Sequence, residues 1–213
     1  MKKAVIFDVD GTLWDALSVI TDSWNLTASR FPDVKTVLTP QAVEPYMGQT
    51  MDKFAALFPE LSPSRAVEIL EDCCKEEITY LETHPGKLYP GMRQTIEELA
   101  AKYELYIVSN CQDGYIQSLL KSCDLEEYFT DFECFGRTGQ PKDRNISILM
   151  QRCDIDKAIY IGDTKTDQEA AEKVGIPFIF AKYGMGETEY SRFAVNSADE
   201  IPAEIRRTKY FEL

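Results

Sequence analysis

A chain of 213 residues with 44% hydrophobic and 28% charged side chains has the size and composition of one folded domain, or of one core carrying a small insertion, and is not a disordered chain. Its formal net charge of -13 opposes any polyanion, which argues against nucleic acid and anionic membrane as partners. No run approaches the roughly 18 apolar residues of a membrane span, the opening MKKAVIFDVDG is too short in its apolar part for a secretory signal, and the six cysteines contain no C-x-x-C pair, so a reduced cytoplasmic protein is expected.

In chain order, residues 3–9 (KAVIFDV) read as a strand that is apolar throughout, as a strand covered on both faces must be. From about residue 15 to 87 helical patterns follow instead. Leu17, Ile20, Trp24, Ala28 and Phe31 form one stripe, Val67, Leu70, Cys74, Ile78 and Leu81 form another, and a third helix is predicted over 50–58. The prolines and glycines of HPGKLYPGM (84–92) then punctuate a return to the core. Beyond them a helix carries Met92, Ile96, Leu99 and Tyr103, and LYIVSN (105–110) is a second strand. A helix with Ile146, Leu149, Met150 and Cys153 leads to a third strand, AIYIGD (158–163), and IPFIFA (176–181) is a fourth. The alternation predicts an α/β fold: a Rossmann-like, doubly wound parallel sheet from residues 1–14 and 88–213, with an inserted all-helical cap at 15–87.

Polar residues gather where three of these strands end: Asp8 and Asp10, Ser109 and Asn110, Asp163 and, shortly after, Asp167. In a parallel sheet those ends share one edge. Two unit charges about 4 Å apart cost roughly 4 kcal/mol at an effective dielectric near 20. A divalent cation offsets that cost, and oxygen-only ligation beside a phosphate is the habit of Mg2+.

The segments DVDGT (8–12), SN (109–110), PKD (141–143) and GDTKTD (162–167) resemble, in order and spacing, the four motifs of the haloacid dehalogenase superfamily. The resemblance is to the phosphoglycolate phosphatase-like branch with a helical cap after the first strand. It implies that Asp8 is a nucleophile forming an aspartyl phosphate and Asp10 the general acid and base. It further implies that Ser109, Asn110 and Lys142 hold the phosphoryl group, and that Asp8, the Asp10 backbone carbonyl and Asp163 bind Mg2+. Asp167 would support Lys142 or a metal-bound water, and Gly11 and Thr12 would shape the turn beside the phosphate. In the cap, YMGQT (46–50) resembles a loop that reaches toward the site, which makes Gly48 and Gln49 substrate-contact candidates. The related lysine motif usually reads Lys-Pro, whereas here Pro141 precedes Lys142.

The expected activity is Mg2+-dependent hydrolysis of a small phosphorylated metabolite by a monomer or weak dimer. A β-phosphoglucomutase-like sugar phosphomutase is the alternative enzyme, and a catalytically silent binding protein of the same fold the alternative outside enzymes. An EF-hand is excluded because Leu13 and Val19 stand where its glycine and glutamate belong. A thiol phosphatase loop is excluded because no cysteine has an arginine six positions later, and a P-loop because Met92 stands where its lysine belongs.

Overall fold

Ala4, Val5, Ile6 and Phe7 are all buried, so strand β1 (Lys3–Phe7) places apolar side chains on both faces of a sheet covered from both sides. The computed structural model describes residues 1–49, 51–188 and 191–212. After β1 the chain runs through β2 (Trp14–Asp15), α1 (Leu17–Ala28), α2 (Pro40–Val43), α3 (Met51–Phe54), α4 (Pro63–Thr83) and β3 (Lys87–Leu88). It continues as α5 (Met92–Ala100), β4 (Glu104–Ser109), α6 (Tyr115–Ser122), β5 (Phe129–Cys134), α7 (Phe135–Thr138) and α8 (Lys142–Arg152). The last elements are β6 (Lys157–Gly162), α9 (Lys165–Val174), β7 (Phe178–Ala181), β8 (Ala194–Val195) and α10 (Ile201–Thr208).

Six strands form one parallel sheet in the order β5-β4-β1-β6-β7-β8, with Phe7 level with Ile107 on one side and Ile161 on the other. From β1 the chain winds outward through β4 to β5, then returns to the opposite side of β1 as β6. The carboxyl end of β1 is therefore the point where the winding reverses, the place where such sheets leave a crevice for ligands. Alternate residues feed two apolar clusters. Val5, Phe7, Ile107 and Ile161 join one, continuous with α5, α6, α10 and the helical insert. Ala4, Ile6, Val108 and Tyr160 join the other, covered by Ile146 and Leu149 of α8 and Ala170 and Ala171 of α9. The α/β Rossmann-like core is thus the observed fold.

Two strands of this sheet, β5 and β8, were not legible in the sequence, nor were the two-residue β2 and β3. β5 lies at a sheet edge, and its Thr130, Asp131 and Glu133 interrupt the apolar run; the Arg152 guanidinium, 2.9 Å from Asp131 and 2.6 Å from Glu133, lies over these acids. β8 is only two residues long. β1 also stops at Phe7, two residues short of the predicted run, because Val9 begins a tight turn.

Where the chain leaves and rejoins the sheet, Trp14 pairs with Leu88 and Asp15 with Lys87 in antiparallel β2 and β3. Between them α1 and α4 pack together, with Cys73 Sγ against Trp24 O and Ile20, Trp24, Leu70 and Cys73 all buried. Ser62 caps α4 by accepting the Arg65 N–H, with Pro63 in the first helical position where its missing N–H is harmless. The helix predicted over 50–58 is α3 followed by a 3-10 turn, Ala55–Leu57; Thr50 lies outside the described residues. Among the described residues no helix is long and apolar enough to cross a membrane.

Candidate active site

β1 delivers Asp8 to the sheet edge, and the Asp8 N–H still donates to Ile161 O at 2.9 Å, so the backbone there is held by the ladder. The chain then turns sharply: the Thr12 and Leu13 N–H groups both donate to Val9 O, at 3.2 and 2.8 Å. Gly11 sits in this turn with φ of 78°. A Cβ there would lie 2.0 Å from Asp163 Oδ2, so glycine is required by the approach of the carboxylate as well as by the backbone angle. The Gly11 N–H is spent on Trp14 O at 3.1 Å and has none left for a ligand.

Lys142 opens α8, a position where a lysine would ordinarily be solvated, yet it is 3% exposed. Its Nζ donates to Asp167 Oδ1 at 2.5 Å and lies 3.0 Å from Asp8 Oδ1. The contact with Asp8 is an ion-pair distance without hydrogen-bond alignment, so Asp8 Oδ1 remains a buried acceptor with no hydrogen-bond donor among the described residues. Asp167 is committed on both oxygens. Oδ1 takes Lys142, and Oδ2 accepts the Thr164 N–H at 2.9 Å and its hydroxyl at 2.6 Å, while the Asp167 N–H donates back to Thr164 Oγ1. This reciprocal capping box starts α9 and fixes the carboxylate that positions Lys142.

Asp163, at the end of β6, accepts the Met185 and Gly186 N–H groups on Oδ2, each at 2.9 Å; Oδ1 faces the Thr12 hydroxyl at 3.5 Å. Asp10 turns the other way. Its Oδ1 accepts the Tyr115 hydroxyl at 2.6 Å and the Trp14 indole N–H at 3.2 Å. That engages one oxygen of the side chain, and the backbone carbonyl is the part of Asp10 expected to bind a metal.

One carboxylate oxygen from each of Asp8, Asp163 and Asp167 lies within 4.8 Å of the others, and all three residues are buried. One lysine against three carboxylates leaves two negative charges uncompensated. Burial first, then repulsion from Asp167, raises Asp8 to about 6 despite Lys142. Burial, then Asp167 and Asp8, raises Asp163 to about 8. Burial lowers the Lys142 pKa, but Asp167 and Asp8 outweigh it and keep the ammonium charged. The Asp8 oxygen that has only the Lys142 ion pair, the Asp163 Oδ1 held only by the long Thr12 contact, and the uncompensated charge are what an oxygen-seeking divalent cation would satisfy. Asp167, with both oxygens engaged, fits the role of lysine support better than that of ligand.

Asp10 is raised to about 7, chiefly by burial and also by Asp8, with the Tyr115 and Trp14 hydrogen bonds acting the other way. Both donors converge on Oδ1, which leaves Oδ2 as the oxygen free to carry a proton.

Ser109 ends β4 and is buried; Asn110 follows it. The Asn110 amide Nδ2 donates to Gly48 O at 2.8 Å, tying the loop between α2 and α3 to the sheet, so what its side chain still offers is an acceptor. Gly48, Gln49, Asp10, Ser109 and Asn110 share one cavity with Trp24 and Glu77. Its open space is about 50 Å³, which suits a small group. Lys53 is exposed on α3 and is not among the residues lining that cavity; His84 is exposed and stacks on Tyr80.

Several contributors escape sequence reasoning. Tyr115 and Trp14, the partners of Asp10, carry no motif. The loop after β7 does carry a signal, the glycine pair of Gly184-Met185-Gly186, where a Cβ on Gly184 would stand 2.2 Å from Gly11 O. Glu77 also leaves a trace. It falls on the apolar stripe of α4 between Cys74 and Leu81, a charged residue where the helix pattern asks for an apolar one.

Comparison with known proteins shows the family and the fold. Residues 5–181 match the family described as haloacid dehalogenase-like hydrolase. The phosphoglycolate phosphatase of Rhodospirillum rubrum is 28% identical over 92% of this chain and 84% of its own. The phosphorylated carbohydrates phosphatase of Thermotoga maritima is 25% identical over 84% of each chain. Among solved structures, a predicted phosphatase from Clostridium acetobutylicum superposes with a TM-score of 0.81 at 22% identity, covering 97% of this chain and 99% of that one.

Proposed function

Because the chain belongs to the haloacid dehalogenase-like hydrolase family, we propose that its site transfers the phosphoryl group of a small monoester first to Asp8 and then to water. The protein is a phosphoric monoester hydrolase of the phosphoglycolate phosphatase-like branch. The observation that carries the reading is the buried Asp8 oxygen, lacking an aligned donor and 3.0 Å from Lys142, with Asp10 two residues beyond it.

An oxygen of Asp8 attacks phosphorus, and the bond from phosphorus to the alcohol oxygen breaks. The leaving oxygen takes the electron pair and the proton from Asp10 Oδ2. In the second step Asp10, now ionised, removes a proton from water as that water attacks phosphorus. The bond to Asp8 breaks, and inorganic phosphate leaves. A pKa of about 7 suits both duties, since each form of Asp10 is well populated at neutral pH. Lys142 spreads positive charge onto the phosphoryl oxygens and is held by Asp167, while Ser109, buried at the end of β4, would donate to them. Asp8, Asp163 and the Asp10 backbone carbonyl would hold Mg2+, which supplies positive charge that offsets the repulsion between carboxylate and phosphate. Residues 15–87 act as a cap over the reacting atoms and limit the bulk water that reaches them. The six cysteines form no disulfide, in keeping with a cytoplasmic enzyme acting on a phosphorylated metabolite as a monomer or weak dimer.

A panel of small phosphate esters, assayed with and without Mg2+, tests the reading. Phosphate release from at least one ester is expected, with Asp8→Asn slowing it by at least about 10³-fold, as removal of other enzymatic nucleophiles does. No release from any ester, or an Asp8→Asn variant at the parental rate, would overturn it.

A further inference from the structure

Asp10 is held by two donors that reach it from different parts of the chain. The Tyr115 hydroxyl donates to Oδ1 at 2.6 Å from the start of α6, and the Trp14 indole N–H donates to the same oxygen at 3.2 Å from β2. Both rings are buried, and they meet edge to face with centroids 5.7 Å apart. The Trp14 backbone is fixed as well: its carbonyl accepts the Gly11 N–H at 3.1 Å, and Trp14 pairs with Leu88 across β2 and β3. Gly86 packs directly on the indole, where a Cβ would stand 2.8 Å from the ring. Donors packed this tightly cannot follow the carboxylate if it turns.

The last torsion of an aspartate side chain is broad and nearly two-fold, so nothing in the residue itself decides which oxygen faces a reacting atom. Here the two donors decide it. With Oδ1 accepting two hydrogen bonds its lone pairs are engaged, and turning the carboxyl away would leave two buried donors without an acceptor. Asp10 also lines both the cavity it shares with Ser109 and Asn110 and the one beside Asp163 and Thr164. Resting on the phosphatase reading above, we infer that Tyr115 and Trp14 are positioning residues for proton transfer: by holding Oδ1 they present Oδ2 of Asp10 to the leaving oxygen in the first step and to the attacking water in the second. How much the first step needs that proton depends on the ester. A nitrophenolate leaves unaided because its ring takes up the charge, whereas an alkoxide has to be protonated as it departs.

The test measures kcat/KM for p-nitrophenyl phosphate, phenyl phosphate and glycerol 1-phosphate in the parent, Asp10→Asn, Tyr115→Phe and Trp14→Phe. That parameter runs from free enzyme to departure of the leaving group, so hydrolysis of the phosphoryl group on Asp8, common to all three esters, does not enter it. Asp10→Asn should lower the ratio of glycerol 1-phosphate to p-nitrophenyl phosphate by at least about 10²-fold, the lower end of what a general acid contributes. Tyr115→Phe should lower it at least about tenfold, and Trp14→Phe, which removes the longer bond, at least about threefold. The ratio of phenyl to p-nitrophenyl phosphate should fall in the same variants by a smaller factor; these two esters are nearly alike in shape, so it separates proton delivery from the fit of the alcohol portion. A mere packing defect would slow all three esters alike, and neither ratio depends on the folded fraction. Ratios unchanged in Tyr115→Phe and Trp14→Phe but lowered in Asp10→Asn overturn the inference and leave the phosphatase reading standing. Ratios unchanged in Asp10→Asn remove Asp10 as the acid, and the inference falls with that step. If no ester releases phosphate, both readings fail together.

Discussion

Gly11 and Gly175 adopt nearly the same backbone, with φ of 78° and 81°, but their surroundings separate a strained turn from a functional one. A Cβ at Gly175, which ends α9, meets nothing within 4 Å, whereas at Gly11 it would strike Asp163 Oδ2, which the Met185 and Gly186 N–H groups hold in place. Gly175→Ala should therefore cost only the left-handed conformation, about 1 kcal/mol, with kcat unchanged. Gly11→Ala carries the same strain and must also displace Asp163. Displacements of about 1 Å at a reacting centre can cost 10²-fold in rate, so a loss of at least about that size is expected, together with the larger fall in Tm. Thermal melts and steady-state rates on the pair check it; equal rate losses in both variants would mean that backbone strain alone governs the turn.

Helices α1 and α4 are joined by the bond from Trp24 to Glu77, and the ionisation of Glu77 makes their packing depend on pH. Burial above all, and the charge of Asp10, raise Glu77 to about 8, against the Trp24 and Gln112 hydrogen bonds. Asp10 and Tyr115 face it across the cavity, and Cys73 and Cys74 neighbour it on α4. An acid whose folded pKa exceeds its unfolded value binds more protons in the folded state between the two. Its contribution is thus complete below about pH 4.5 and declines as pH rises toward about 8. Glu77→Gln keeps the shape and removes the titration. The Tm difference, variant minus parent, should grow from pH 5 to pH 8 by several degrees, at roughly 2–4 °C per kcal/mol for a chain of this length; a difference that stays flat would mean that Glu77 does not titrate in that window. The sequence shows the helix bearing Glu77 clearly, through Leu70, Cys74, Ile78 and Leu81, because side chains repeating every three or four residues need no tertiary knowledge to be seen. Buried central strands such as β1 and β6 are visible for the same reason. Edge strand β5, half polar, is not, and neither is Tyr115: its role comes from a contact with Asp10 across more than 100 residues, which no local pattern records.

The whole chain carries a net charge of -13, and among the described residues the fold brings Asp8, Asp163 and Asp167 together with one lysine. Folding in the absence of a cation works against that cluster, because the unfolded chain holds the same carboxylates apart and solvated. Mg2+ should therefore bind the folded form and not the unfolded one, adding about 2.7 kcal/mol at a hundred times its Kd. For a protein of this size that corresponds to a rise in Tm of roughly 5–10 °C. A chain this acidic would also gain from simple screening, so the comparison must hold ionic strength constant with sodium chloride. Asp163→Asn separates the two effects. It removes one charge of thirteen but half of the carboxylate pair left open to a cation, since both oxygens of Asp167 are engaged. The parent should show the rise with Mg2+ and lose it on chelation, and Asp163→Asn should show little of it. An equal rise in parent and variant would make the stabilisation a matter of overall charge and would remove the cluster as the cation site.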